Sequence, residues 1–439
     1  MIWMRRIGLF TLLWLLISLP ARAVLTIEIT QGSDEAMPIA VVPFAWGGEG
    51  KAPEQLDQII GADLHRSGFF RPLDKDDLIA RPNTASKVNY ADWRALNVNY
   101  LVVGRILPRD DGSYTVQFQL LDVNRRQQLA GYSLQTDKSG LRRTAHQISD
   151  IIYQEITGKR GAFDTFIAYI TVIRDQADKP RYQLAIADSD GHNEQVIYKS
   201  RQPMLSPSWS PDGKKLVFVS FARGRSEIYI QNILSGETRR LAEFSGLNSS
   251  PTWSPDGEYL AMTLSRDGNP EVYVMHIEDR SLQRITRNGA IDTEPAWLPD
   301  SKGLVFTSDR GGSPQLYEVA LNGDMRPAGR PARLTFRGSY NARASVSPDG
   351  KHVAMVHREG SRFRIAVQNR DSGQFRVLTD SRLDESPSFA PNGSMIIYAT
   401  EDDYRGILSA VSVDGRAQQQ LSLQQGDVRE PAWSPLRSE

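Results

Sequence analysis

The sequence contains no cysteine, which excludes disulfides, thiol chemistry and any metal site built on thiolates. It has no charge bias either. Lys and Arg total 52 and Asp and Glu total 52 among 439 residues, so a basic nucleic-acid-binding surface is not expected. Catalytic signatures are missing as well. There is no Gly-x-Ser-x-Gly nucleophile elbow. The six histidines (His65, His146, His192, His276, His352, His357) form no His-Glu-x-x-His pair, which argues against a catalytic zinc. The stretch "WGGEGKAPE" at 46–54 puts Gly-Lys ahead of a helix. It lacks the earlier Gly of a phosphate loop and the Ser or Thr that would hold magnesium. No catalytic residue, cofactor or metal is assigned, and the chain reads as a non-enzyme.

Long hydrophobic runs are equally scarce. Ile7–Leu19 is an apolar stretch of 13 residues, short of the roughly 20 that span a bilayer. Arg5 and Arg6 precede it and Ala21-Arg22-Ala23 follows it. This is the layout of a cleavable signal peptide over residues 1–23, cut after Ala23. Loss of Arg5, Arg6 and Arg22 leaves 52 − 3 = 49 cations against 52 acids. The expectation is an exported, mildly acidic protein beginning at Val24, with no direct membrane insertion.

What the chain does have is a repeat. "PSWSPDG" at 207–213 returns as "PTWSPDG" at 251–257 and as "PAWLPDS" at 295–301. The register Trp209, Trp253, Trp297, Val346, Phe389, Trp433 steps by 44, 44, 49, 43 and 44 residues. "SPDG" and "APNG" suit a type I turn, with Pro second and Gly fourth. After each turn come alternating strands such as Leu216/Phe218 and Leu260/Met262, then "EIYIQ" or "EVYVM", a Gly-bearing turn and a last strand. About 44 residues holding four short strands make one propeller blade.

Five repeats are complete and the ends supply a sixth in two pieces. The C-terminal "PAWSPL" starts a repeat, while "FIAYI" at 166–170 and the segment 182–198 finish one. Joining them closes a six-bladed ring without a free sheet edge. An open solenoid or a pair of sandwiches would not need those matching halves. No Trp-Asp dipeptide occurs, so the repeat is not of the WD40 type. The repeated Trp reads as an inter-blade core residue.

Residues 24–160 do not repeat and read as a small α/β domain, leaving 161–439 for the propeller. Strands are expected at Met37–Phe44, Asn99–Leu107, Ser113–Val123 and Gln127–Thr136, with helices over about Pro53–Ser67 and Leu141–Thr157. The first mature residues, "VLTIEITQGSDE", form a short alternating segment suited to pairing with a sheet edge or to capture by a partner.

A propeller offers a central funnel. The residue before each repeat's Pro, or its equivalent, is Ser206, Ser250, Glu294, Arg343, Ser386 or Glu430. One step back stand Thr293 and Glu385, and one further Asn248, Asp292, Asn341 and Asp384. These are polar and vary between repeats while the Trp position stays apolar, as a binding face on a regular scaffold would. The carboxylates among them could attract a basic patch or hold a cation.

Taken together, "PIAVVPF", "GADLHRSGFF", "TGKRGAF", the "SPDG" repeats and "TEPAWLPDSKGLVFTSDRGGSPQLY" resemble the TolB family of periplasmic propeller proteins of the Tol-Pal system. The resemblance covers essentially the whole mature chain. It implies a monomeric, non-enzymatic periplasmic scaffold with no nucleic-acid partner. Such a protein binds the peptidoglycan-associated lipoprotein Pal through the propeller face away from the α/β domain. It binds TolA through the N-terminal segment, and supports outer-membrane integrity and invagination during cell division. Other outer-membrane or peptidoglycan-associated proteins fit the same role.

Carried onto this chain, the Pal-facing set is Asn248, Ser250, Asp292, Thr293, Glu294, Asn341, Glu385 and Glu430. The TolA-facing set is Val24, Leu25, Ile27, Ile29 and Asp34. Leu247 and Ser250 depart from the His and Ala that relatives tend to carry. A peptidase-gating propeller would need a hydrolase domain that the chain lacks. A carbohydrate-binding propeller would want aromatics at these mouth positions, where there are none.

Overall fold

The computed structural model describes residues 36–174, 179–421 and 426–437, and the backbone of 27–31. The expected signal peptide and Val24, Leu25 and Asp34 lie outside the described residues.

The first domain is one mixed sheet between helices. Met37–Val41 pairs in parallel with Phe70–Pro72 and with Tyr100–Pro108; Tyr114–Asp122 and Gln127–Thr136 then add on antiparallel. Helices α1 (Leu56–Arg66) and α3 (Leu141–Thr157) cover one face, where Ile60, Leu64, Ile148 and Ile152 meet Val102 and Phe118. On the other face α2 (Tyr90–Ala95) buries Trp93 among Leu101, Val103 and Leu121. The period-3.6 stripe of α3 drives its docking. Gly158, at φ +73°, closes its C-terminus, its N–H donating a hydrogen bond to the Gln154 carbonyl, in a conformation a glycine adopts without cost.

From Phe166 onward the chain forms six four-stranded sheets around an axis. The innermost strands are 427–433 in blade 1, then Met204–Trp209, Asn248–Trp253, Asp292–Trp297, Asn341–Val346 and Glu385–Phe389 in blades 2 to 6. Asp427–Trp433 pairs antiparallel with Phe166–Arg174, so the last strand of the chain sits innermost in the first blade. Blade 6 carries a fifth, outer strand: Ile27–Gln31 runs antiparallel to Gln418–Leu421.

The second strand of each blade, such as Leu216–Val219, is buried on both faces because neighbouring blades sandwich it. The Trp register explains the seams. Trp209 is buried and its indole N–H donates to the Ala432 carbonyl of blade 1 at 3.0 Å; that of Trp297 reaches the Thr252 carbonyl of blade 3 at 3.1 Å. In the "SPDG" turns the Gly amide donates to the Ser carbonyl at 2.8–2.9 Å.

The α/β domain docks on the "SPDG" side of the disc. Arg66 of α1 donates to the carbonyl and hydroxyl of Ser189 in blade 1, and Arg437 donates to Asp164 in the linker. The opposite face carries the starts of the inner strands and is free of the described residues of the first domain.

Candidate functional site at the propeller mouth

Each inner strand slips register at the same point, between 205 and 208, 249 and 252, 293 and 296, 342 and 345, 385 and 388, and 429 and 432. Within each slip one residue is left-handed: Ser206, Ser250, Glu294, Arg343, Ser386 and Glu430 have φ between +47° and +56°. None is a glycine, so each bulge holds strain of order 1–3 kcal/mol that the surrounding sheet must impose. These are the polar funnel positions read from the sequence. Glu294, Ser386 and Glu430 meet at Arg343, and the Ser206 amide joins Glu430.

Arg343 is the hub. It contacts Glu430 at 2.8 Å, Glu294 at 3.3 Å and the Ser386 hydroxyl at 2.6 Å. Glu294 also accepts from the Thr307 hydroxyl, and Glu430 from the Ser206 amide. Burial disfavours the Arg343 cation, but Glu430 and Glu294 outweigh it and hold the guanidinium charged. Burial, then Glu430, raises the Glu385 carboxyl above its ordinary value. The Glu294 and Glu430 carboxylates are thus paired with Arg343 across the funnel.

Asn248, Asp292 and Asn341 are fully buried and shape their own loops. Asn248 accepts from the Phe244 amide and donates to the Ser226 carbonyl. Asp292 takes two bonds from Arg310, at 2.8 and 2.9 Å. Asn341 donates to Gln315 and to the Arg337 carbonyl. They offer no side-chain surface to a partner. Thr293, Glu385 and Ser250 remain partly exposed.

Apart from Leu247, the exposed face is built from residues that the sequence analysis did not single out. Leu247 and Ile291 stand on the loops entering blades 3 and 4, Phe336 is 74% exposed on the loop entering blade 5, and Tyr404 is 89% exposed at a hairpin tip of blade 6. Exposed arginines (Arg223, Arg266, Arg287, Arg337, Arg358) stand between them. Arg266 stacks on Phe244, Arg333 on Phe336 and Arg358 on Tyr340. Apolar and aromatic side chains set among arginines are the composition of a protein-docking surface. The blade 5 and 6 hairpins (352–369 and 395–412) have eight-residue strands where blades 2 to 4 have six, which raises one wall of the mouth. Apolar loop residues ahead of blades 3, 4 and 5 (Leu247, Ile291 and Phe336) were the available signal.

The chain is a six-bladed propeller with a non-repeating α/β domain on one face and exposed apolar and arginine side chains on the loops of the other. The TolB amino-terminal domain family matches residues 25–129 and the TolB beta propeller domain family matches 153–437. The Tol-Pal system protein TolB of Thioalkalivibrio sulfidiphilus is 57% identical over 427 residues, covering 97% of both chains. That of Xanthomonas campestris is 55% identical over 417 residues, 94% of each. The crystal structure of TolB from Acinetobacter baumannii superposes with a TM-score of 0.85 at 42% identity, covering 94% of this chain and all of that one. The chain belongs to the TolB family of the Tol-Pal system. No helix among the described residues is long and apolar enough to cross a membrane.

Proposed function

We propose that this protein is a periplasmic, non-enzymatic scaffold that docks Pal on the propeller mouth and presents its N-terminal strand to TolA. The observation that carries the first half is the open face of Leu247, Ile291, Phe336 and Tyr404 among exposed arginines. Such a face favours a partner with apolar knobs and carboxylates. Thr293, Glu294 and Glu385 border it, and Ser250 and Glu430 support it from the channel. The second half rests on Ile27–Gln31, which is an added edge strand on blade 6. An edge strand held through backbone bonds can be exchanged for a partner's strand, and Ile27 and Ile29 alternate within it. Such a protein links the outer membrane to the energised inner membrane during constriction.

Calorimetric titration with lipid-free Pal tests this. Phe336→Ala together with Arg337→Glu should weaken binding at least tenfold, while removal of residues 24–34 should leave a Pal site in place. Undiminished Pal binding by the mouth variant would move the site elsewhere. Absence of binding by the intact protein would end the assignment.

A further inference from the structure

Between the two domains lies a charge cluster with a buried centre. Asp63, His146 and Asp190 are all at most 5% exposed. Asp63 and Arg66 come from α1, Arg142 and His146 from α3, Asp188 from the end of the blade 1 strand Pro180–Asp188, and Asp190 and His192 from the turn after it. Arg66 pairs with Asp63 at 3.0 Å and Arg142 pairs with Asp190. His146 sits between them: Nδ1 is 2.7 Å from Asp63 and Nε2 faces Asp190 at 3.6 Å. Nε2 has no other partner. Asp188 accepts from Asn193. One turn along α3, Asp150 accepts the amides of Phe163 and Asp164, and Asp164 is itself held by Arg143 and Arg437.

We infer that the seam between the α/β domain and the propeller is locked by a proton on His146, whose imidazolium joins a carboxylate of each domain. Charge supports it. Three carboxylates (Asp63, Asp188, Asp190) face two guanidiniums (Arg66, Arg142), and the imidazolium brings the sum to zero in a place where an unbalanced charge is costly. The geometry agrees, because both ring nitrogens face carboxylate oxygens and a neutral ring would leave one of them lone pair to lone pair. Burial pulls the His146 pKa down, yet the charge and hydrogen bond of Asp63 and the charge of Asp190 outweigh it, and the net shift is upward. The same three side chains could surround a metal ion. Both carboxylates are already taken by arginine, so the proton is the simpler occupant.

The sign follows. A histidine whose folded pKa lies above its free value stabilises the fold fully below about pH 6.5, and the contribution is lost as pH rises through the folded pKa. Thermal unfolding of the purified protein should therefore shift downward by several degrees between pH 6.5 and 9. His146→Gln, which keeps a bond to Asp63 but cannot titrate, should start lower and show no such slope. Hydrogen exchange at pH 9 should quicken at 188–192 and along α3 while blades 3 and 4 are unchanged. Nitrogen chemical shifts of His146, assigned from the α3 backbone of the unaltered protein, should report both ring nitrogens protonated at pH 7. A neutral ring at pH 7 would overturn the inference even if the variant fails to fold. So would a His146→Gln protein that keeps the slope, or a zinc-induced rise in the transition that the variant abolishes.

Discussion

The Arg343 guanidinium reaches Glu430 across the propeller channel at 2.8 Å, joining blade 5 to blade 1 with blade 6 lying between them. The ring is therefore held by its strand pairing and also by a bond through its middle. Removing one partner of a fully buried pair strands the other charge at a cost of about 3–5 kcal/mol, and this pair, with Arg343 25% and Glu430 10% exposed, should lose less. Arg343→Leu should accordingly lower the propeller's denaturation midpoint measurably. Adding Glu430→Gln and Glu294→Gln should restore much of the loss. A single variant as stable as the parent would mean that water already screens the channel.

The tryptophan seams give a matched comparison. Trp209 donates its indole N–H to blade 1, whereas the Trp253 indole N–H is buried without a partner. Phenylalanine removes similar volume at both places but a hydrogen bond only at the first. Trp209→Phe should cost about 1 kcal/mol more than Trp253→Phe, read as a difference in urea midpoint. Equal losses would leave the hydrogen bond with no net role.

Much of this fold was legible because its signals are periodic. The 44-residue register counted the blades, and the spacing of Ala145, Ile148 and Ile152 marked α3 at the bounds the structure has. Helix α2 escaped notice, since six residues with the single buried Trp93 give no period to read. The polar pre-proline positions were read as a funnel face, but the pairing of their charges around Arg343 was not legible. Their left-handed backbone leaves no trace in residues such as Glu294 and Arg343, because the sheet imposes it. The junction cluster was invisible for another reason: Asp63, His146 and Asp190 are brought together only by docking of the domains. The exposed Phe336 and Tyr404 are single aromatics in loops, which are common enough to mean nothing until the fold places them on one face.

The added strand at Ile27–Gln31 predicts a local effect. It shields the outer edge of Gln418–Leu421, and an uncovered edge presents unpaired backbone groups. Deleting residues 24–34 should speed hydrogen exchange at 418–421 at least tenfold and move the overall melting temperature by little. Unchanged exchange there would mean that the strand spends little time on blade 6 in solution.

Asp150 sets a pH dependence of its own. Burial pushes its carboxyl up to about 6, although the Phe163 and Asp164 amides pull the other way. A carboxylate whose folded pKa exceeds its free value binds its proton more tightly when folded, so its stabilising share is present at low pH and is lost between about pH 4 and 6. Asp150→Asn removes that titration. The stability of the variant relative to the parent should rise with pH across this window, by as much as about 3 kcal/mol for two pKa units. The absolute gain will be smaller, because the amide group can accept only one of the two backbone bonds at full strength. Denaturant midpoints of both proteins at pH 4, 5, 6 and 7 would measure it. A constant gap between them would show that Asp150 stays ionised and is held by the linker amides throughout.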